Sequence, residues 1–103
     1  MEKLITVYWR DIPAQVIGRR GRRTVLKKLL DPRFQQAIDR AAMRAGRGSS
    51  DAYLADWRRE SEDSDGDLEK AVQTRVAELE RAFPPNRLDA VVRAGGVREE
   101  ASS

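Results

Sequence analysis

Six cationic side chains lie within a ten-residue segment near the start of the chain, and their type and spacing suit a binding function. They are Arg19, Arg20, Arg22, Arg23, Lys27 and Lys28. Arginine and lysine contact phosphate oxygens and carboxylates, so such a cluster is typical of a surface that binds nucleic acid or an acidic partner. The alternative is a hydrophilic hairpin tip with no partner. We interpret this segment as the candidate partner- or phosphate-binding site.

The positions of the aromatic residues favour a protein over nucleic acid as the partner. Proteins that hold single strands stack the bases on aromatic side chains next to their cations. Here the two Trp and two Tyr residues do not alternate with the arginines, and their apolar neighbours indicate a core. We therefore expect a protein partner, with nucleic acid as the alternative.

A group of acidic residues, Asp63–Asp67, places alternating carboxylates around Gly66, as a Ca²⁺-binding loop does. The pattern is incomplete. Counted from Asp63, the glycine stands fourth rather than sixth, and Thr74 takes the twelfth place, where that loop has Glu. We interpret residues 60–67 as a solvated acidic loop between two helices and predict no metal site.

The sequence contains neither His nor Cys, which removes the commonest general base, the commonest metal ligand and any thiolate nucleophile. Gly18 and Gly21, with two residues between them, complete neither the dinucleotide-binding nor the P-loop pattern. We therefore predict a protein with no catalytic residues and no cofactor. The remaining enzymatic alternative is a small enzyme that uses carboxylates for catalysis.

Charge is unevenly distributed along the 103 residues. Residues 1–47 contain 12 Lys and Arg against 4 Asp and Glu, whereas residues 48–103 contain 8 against 13. One interpretation is that the two halves neutralise each other within the fold. A second is that the basic half faces an acidic partner, and a third is that copies of the chain associate head to tail. These three interpretations stay open at this point.

Two strands are predicted before residue 31. Residues 4–9 are rich in β-branched and aromatic types, with apolar residues on both faces, so we expect a strand that is covered at least partly on each side. A short extended piece over 14–17 and a turn at Gly18–Gly21 lead to a second strand at about 23–30. Lys27 and Lys28 interrupt that strand, which indicates a charged edge strand paired within the chain against the first.

Four helices are predicted from N-cap residues and from apolar side chains spaced three and four apart. They cover 33–45, a segment capped by Ser49 or Ser50 that includes Trp57, a segment from Asp67 to Phe83, and a short helix capped by Asn86. We expect one core in which residues of the helices pack against residues of the first strand. It contains Phe34, Ile38, Tyr53 and Trp57 together with Ile5, Val7 and Trp9.

The predicted architecture is an α+β fold, in which a small antiparallel sheet of two or three strands packs against three or four helices. The length suits a single domain, which we place at residues 1–96, followed by a disordered tail at 97–103. The sequence has no apolar run long enough to span a membrane and no signal-peptide pattern, so we expect a cytoplasmic protein.

Residues 24–54 resemble part of a ribbon-helix-helix repressor, because a strand is followed by a helix and then by Ser49 and Ser50 at the start of a second helix. That resemblance implies a dimeric DNA-binding regulator whose strand pairs with its own copy. Thr24, Leu26 and Lys28 would then enter the major groove.

A second resemblance covers most of the chain. The segments Ile5–Pro13, Arg33–Met43 and Ser50–Leu54, with Trp57 after them, are similar to a small bacterial family of domains labelled virulence factor. The label describes a phenotype and brings no catalytic or cofactor residues with it. The resemblance implies a bacterial cytoplasmic module that works as a non-enzymatic accessory or regulatory protein through a partner.

Overall fold

The computed structural model describes residues 2–47 and 49–97. Within them the chain forms one antiparallel sheet of four strands and four helices. The elements are β1 (Glu2–Trp9), β2 (Ile12–Arg20), β3 (Thr24–Leu29), α1 (Pro32–Arg44), α2 (Ser50–Ala55), β4 (Trp57–Ser64), α3 (Leu68–Ala82) and α4 (Pro85–Arg93). The predicted α+β class is confirmed, but the sheet has more strands than the two or three expected. Apart from the exposed Val97, the predicted tail lies outside the described residues.

The strands follow the spatial order β3-β2-β1-β4, which corrects the predicted pairing of the first and second strands. A two-residue turn at Arg10 and Asp11 brings Ile12 opposite Trp9, so β2 returns alongside β1 and separates it from β3. β2 then continues to Arg20, and the turn begins at Gly21 rather than at Gly18. The apolar residues of β2 explain the difference, because they suit a strand that has neighbours on both sides.

The acidic segment is the largest departure from the sequence interpretation, since residues 60–64 of the predicted loop belong to the strand β4. Every residue of β4 has a partner in β1, from Trp57 opposite Trp9 to Ser64 opposite Glu2. Trp57 therefore begins a strand, and α2 ends at Ala55 instead of including it. Backbone groups of β1 need partners on both sides, and an edge strand supplies them while its charged side chains remain in water.

The helices pack against one face of the sheet and form the main core with it. On this face α3 lies directly on β2: a Cβ added at Gly18 would stand only 2.7 Å from Cγ2 of Val72. Phe34 of α1 meets Phe83 edge to face at 6.2 Å between ring centres. The most completely buried apolar side chains of this core are Trp9, Ile12, Val16, Phe34, Ile38 and Ala41.

The opposite side of the sheet, which we call the outer face, holds a separate apolar cluster of Ile5, Val7 and Ile17, with Trp57 packed against it. The single core predicted from the sequence is therefore wrong for Ile5 and Val7. Successive side chains of a strand point to opposite faces. Leu4 and Thr6 point toward the helices, so their neighbours Ile5 and Val7 point away from the main core. Trp57 also contacts the main core through Tyr53, at 5.8 Å between ring centres.

Three of the four helix starts follow the predicted caps. Asp31, Ser49 and Asp67 each accept a hydrogen bond from a backbone amide in the first turn of α1, α2 and α3 respectively. The prediction that Asn86 caps the fourth helix is wrong. There Pro84 is the N-cap, without a side-chain hydrogen bond, and Pro85 occupies the first turn, where its missing N–H costs nothing.

A half-buried carboxylate joins three segments at one end of the sheet. Asp56 accepts hydrogen bonds from Nε of Arg10 at 3.1 Å and from Nε of Arg47 at 3.0 Å. Arg10 also donates to the carbonyl of Gly95 at 2.9 Å. Partial burial by itself would raise the pKa of Asp56, but the hydrogen bonds and charges of the two arginines hold that pKa below its ordinary value of 3.8.

Replacing Ile38 by Ala should lower the free energy of unfolding by roughly 2 to 5 kcal/mol, because the side chain is fully buried in the main core and its loss leaves a cavity. Met43 lies on the same helix and is 74% exposed, so Met43→Ala is the control and should change stability by less than about 0.5 kcal/mol. Urea unfolding of both variants measures the difference. Equal effects would contradict the assignment of the buried face of α1.

Replacing Asp56 by Asn should destabilise the fold by about 1 kcal/mol at neutral pH. A carboxylate whose pKa is lowered by folding stabilises the protein above the pKa of the unfolded group, and this contribution is lost as the pH falls through the lower, folded value. The stability difference between wild type and Asp56→Asn should therefore shrink below about pH 4. Asp89→Asn removes an exposed ion pair and serves as the control, for which we expect a small effect at every pH. A difference that stays constant down to pH 2 would contradict the assignment.

Candidate functional site

The six cations singled out from the sequence all lie at the surface, but strand geometry divides them among three places. Arg19 and Lys27 lie on the outer face, since they stand in register with Lys3 and Ile17. Arg20 and Lys28 lie on the helix-facing side, whereas Arg22 and Arg23 belong to the turn between β2 and β3. The six predicted residues therefore do not all lie on one face of the sheet.

Arg20 is engaged within the fold. Its guanidinium forms an ion pair with Glu2 on the adjacent strand, and its Nη2 lies 3.5 Å from the carbonyl of Gly66 in the loop before α3. These contacts tie the end of the sheet to that loop. Within the described part of the chain, the other five cations make no hydrogen bond or ion pair: Arg19, Arg22, Arg23, Lys27 and Lys28.

The outer face also contains a cation that sequence analysis missed. Arg59 of β4 stands opposite Val7, and among the described residues its side chain has no ion-pair or hydrogen-bond partner. It was missed because residues 60–67 were interpreted as a loop, which left β4 out of the sheet. The weak signal was Trp57, an aromatic residue two positions earlier that would share its face in a strand.

Together these residues give the outer face an apolar centre with cations around it. Ile5, Val7 and Ile17 are only 5–7% exposed, although the described helices pack on the other side. By register Lys27 lies beside Ile17 and Arg59 beside Val7, and the aliphatic stems of such side chains shield apolar neighbours while the charges stay in water.

Apolar surface remains open at the β3 side of this face. Leu29 is 70% exposed and Val25 48% exposed, and Lys27 stands between them on the same face. A shallow depression of about 330 Å³ lies at the β4 side and is lined by Val7, Gln15, Trp57, Arg58 and Arg59. An apolar centre with a charged border is the usual anatomy of a protein–protein interface.

The acidic side chains of β4 are used by the fold. Glu60 pairs with Arg58, Glu62 with Arg75 of α3, and Asp63 with Lys3 at 2.6 Å. The hydrogen bond and charge of Lys3 hold the pKa of Asp63 below its ordinary value. In residues 2–47 and 49–97 no group of three acidic side chains is arranged to hold a metal ion.

A cavity of about 310 Å³ lies where β1 and β4 meet α3 and α4. Its lining includes Tyr8, Asp11, Arg58, Glu60, Leu79, Ala82, Phe83 and Arg87. Arg58 lies 4.5 Å from the ring centre of Tyr8, donates to the Asp11 carboxylate at 3.2 Å and pairs with Glu60. Partial burial acts to lower the pKa of Arg58, but the two carboxylates raise it above its ordinary value. Arg58, Asp11 and Glu60 therefore neutralise one another in a structural contact.

The groove residues expected from the ribbon-helix-helix resemblance face the wrong way. Leu26 packs against the main core, and Lys28 stands in register with the buried Val16. Both belong to the helix-facing side of β3, so they are not presented outward for a DNA groove. One side of β3 is also occupied by β2 of the same chain.

No helix among residues 2–47 and 49–97 is long and apolar enough to cross a membrane. A search of curated proteins gave no match, and neither did a search of solved structures. The sequence model of a protein family described as virulence factor matches residues 7–92. This match confirms the resemblance noted from the sequence. The match spans β2, β3, β4, α1 to α3 and all but the last residue of α4, well over half of the chain. The protein therefore belongs to the virulence factor family.

Proposed function

We propose that the chain is a non-enzymatic accessory or regulatory protein of the bacterial cytoplasm, which acts by binding an acidic protein partner on the outer face of its sheet. The observation that carries the proposal is the set of three cations around the apolar cluster there that have no partner among residues 2–47 and 49–97. They are Arg19, Lys27 and Arg59.

Two further features support a protein as the partner. Leu29 and Val25 add exposed apolar surface next to Lys27, and apolar contacts add affinity that charge alone does not provide. Among the described residues, Trp57 supplies the only aromatic ring at the cluster, whereas a surface that stacks successive bases needs several. The charged border would speed the encounter with an acidic partner.

Replacing Arg19, Lys27 and Arg59 together by Ser should abolish capture of the partner in a pull-down from bacterial lysate. The thermal midpoint should fall only slightly, because these exposed side chains make no ion pair in the described structure and the variant loses only the cover that their stems give the cluster. The control replaces the exposed Arg81, Arg87 and Arg93 of the helices by Ser, which removes the same charge, and capture should then persist. Retained capture by the first variant would refute the outer face as the site.

The DNA-binding alternative has its own measurement. If the wild type shifts random duplex DNA in electrophoresis, and the shift weakens steeply between two salt concentrations, phosphate contacts dominate its binding. That result, combined with a dimer by light scattering, would replace the proposal. We expect no shift at physiological salt.

A further inference from the structure

The sheet ends in two strands that each have one free edge. β3 pairs only with β2, and β4 pairs only with β1, within the described residues. Both strands are exposed along nearly their whole length. A free edge presents a row of backbone donors and acceptors to which another strand can add.

Parts of the two edges carry opposite charge. β3 contributes Lys27 and Lys28, whereas β4 has Arg58 and Arg59 in its first half and the acids Glu60, Glu62 and Asp63 in its second half. Charged edge residues normally prevent strands from pairing, and two β3 edges brought together would set lysine against lysine. This protection does not operate between β3 of one molecule and β4 of another, because there the charges attract.

Strand direction permits that contact between identical copies. All neighbours in the order β3-β2-β1-β4 are antiparallel, so β1 and β3 run one way and β2 and β4 the other. A copy placed alongside in the same orientation therefore sets its β3 antiparallel to β4 of the first molecule. The helices of both copies then lie on the same side of one continuous sheet.

One register matches both charge pairs. With Glu62 opposite Lys28, Asp63 stands opposite Lys27, and Ser61 opposite Leu29. Glu62 and Lys28 both lie on the helix-facing side, while Asp63 and Lys27 both lie on the outer face, as the pairings with β1 and β2 require. Opposite residues of an antiparallel pair share a face, so this register satisfies the pleat.

We propose that the protein associates head to tail with a second copy of itself, through addition of β3 of one molecule to β4 of the next. The contact leaves one free β3 and one free β4 at the ends of the pair, so longer assemblies form as concentration rises. It uses the strand edges and engages Lys27 of one molecule, while Arg19 and Arg59 stay open on the outer faces, so it goes beyond the proposed partner binding.

Sedimentation velocity over a concentration series tests the proposal. The wild type should show concentration-dependent species larger than the monomer, and these should weaken from 50 mM to 500 mM salt because exposed charge pairs are screened. Lys27→Glu with Lys28→Glu should weaken association about tenfold or more. Arg81→Glu with Arg93→Glu changes the net charge equally on the helices and should leave association unchanged.

A mixture of variants gives the decisive comparison. Glu62→Lys with Asp63→Lys should also fail to associate alone, yet an equimolar mixture with Lys27→Glu/Lys28→Glu should associate, because each junction again joins opposite charges. Glu62 and Asp63 pair with Arg75 and Lys3 within the molecule, so Glu62→Lys with Asp63→Lys can disturb folding. If that variant does not fold, Glu62→Gln with Asp63→Asn replaces it, and this milder variant should weaken association when tested alone.

Hydrogen exchange locates the contact: amides of β3 and β4 should gain protection as the wild-type concentration rises. A wild type that stays monomeric up to about 1 mM, near the weak end of protein affinities, would overturn the proposal. So would association that persists equally in both charge-reversed variants, or protection that appears away from the two edge strands.

Discussion

Backbone pairing along β1 is the constraint on which the rest of the structure depends. All eight residues of β1 have a partner in β2, and all eight also have one in β4. The strand is largely buried, and buried backbone groups without partners are strongly unfavourable. A second neighbour was therefore required, and β4 supplies it despite an acidic composition that is unfavourable for a strand. The position of Arg59 on the outer face follows from that pairing.

Unequal coverage of the two sheet faces creates the candidate site. Helices α1, α3 and α4 bury one face and exclude water from it, as the contact between Gly18 and Val72 shows. The outer face has no such layer among the described residues, so its apolar cluster is shielded only by side chains of the sheet and by Trp57. Exposed cations stand around this cluster, and the proposed partner site consists of that combination.

The fold also explains how the basic first half and the acidic second half of the chain interact. Residues of the basic first half pair with acids of the second half at Lys3 and Asp63, and at Arg10 and Asp56. These contacts neutralise part of each half, as one interpretation of the charge distribution held. Among the described residues, the cations of the first half that have no partner lie on β2, β3 and the turn between them. The surface we assign to binding combines two of them, Arg19 and Lys27, with Arg59 of the second half.

Local patterns in the sequence determined the α+β class, the first and third helices and the exposure of the six cations, because caps, apolar periodicity and charge act within a few residues of each other. Asp31 and Asp67 begin their helices for reasons that each segment contains by itself. Only the tertiary structure decided that residues 57–64 form a strand, since its hydrogen-bond partners lie about fifty residues earlier, on β1. It also decided which cations share a face, because Arg59 meets the cluster of Ile5, Val7 and Ile17 only across strands that are distant in sequence.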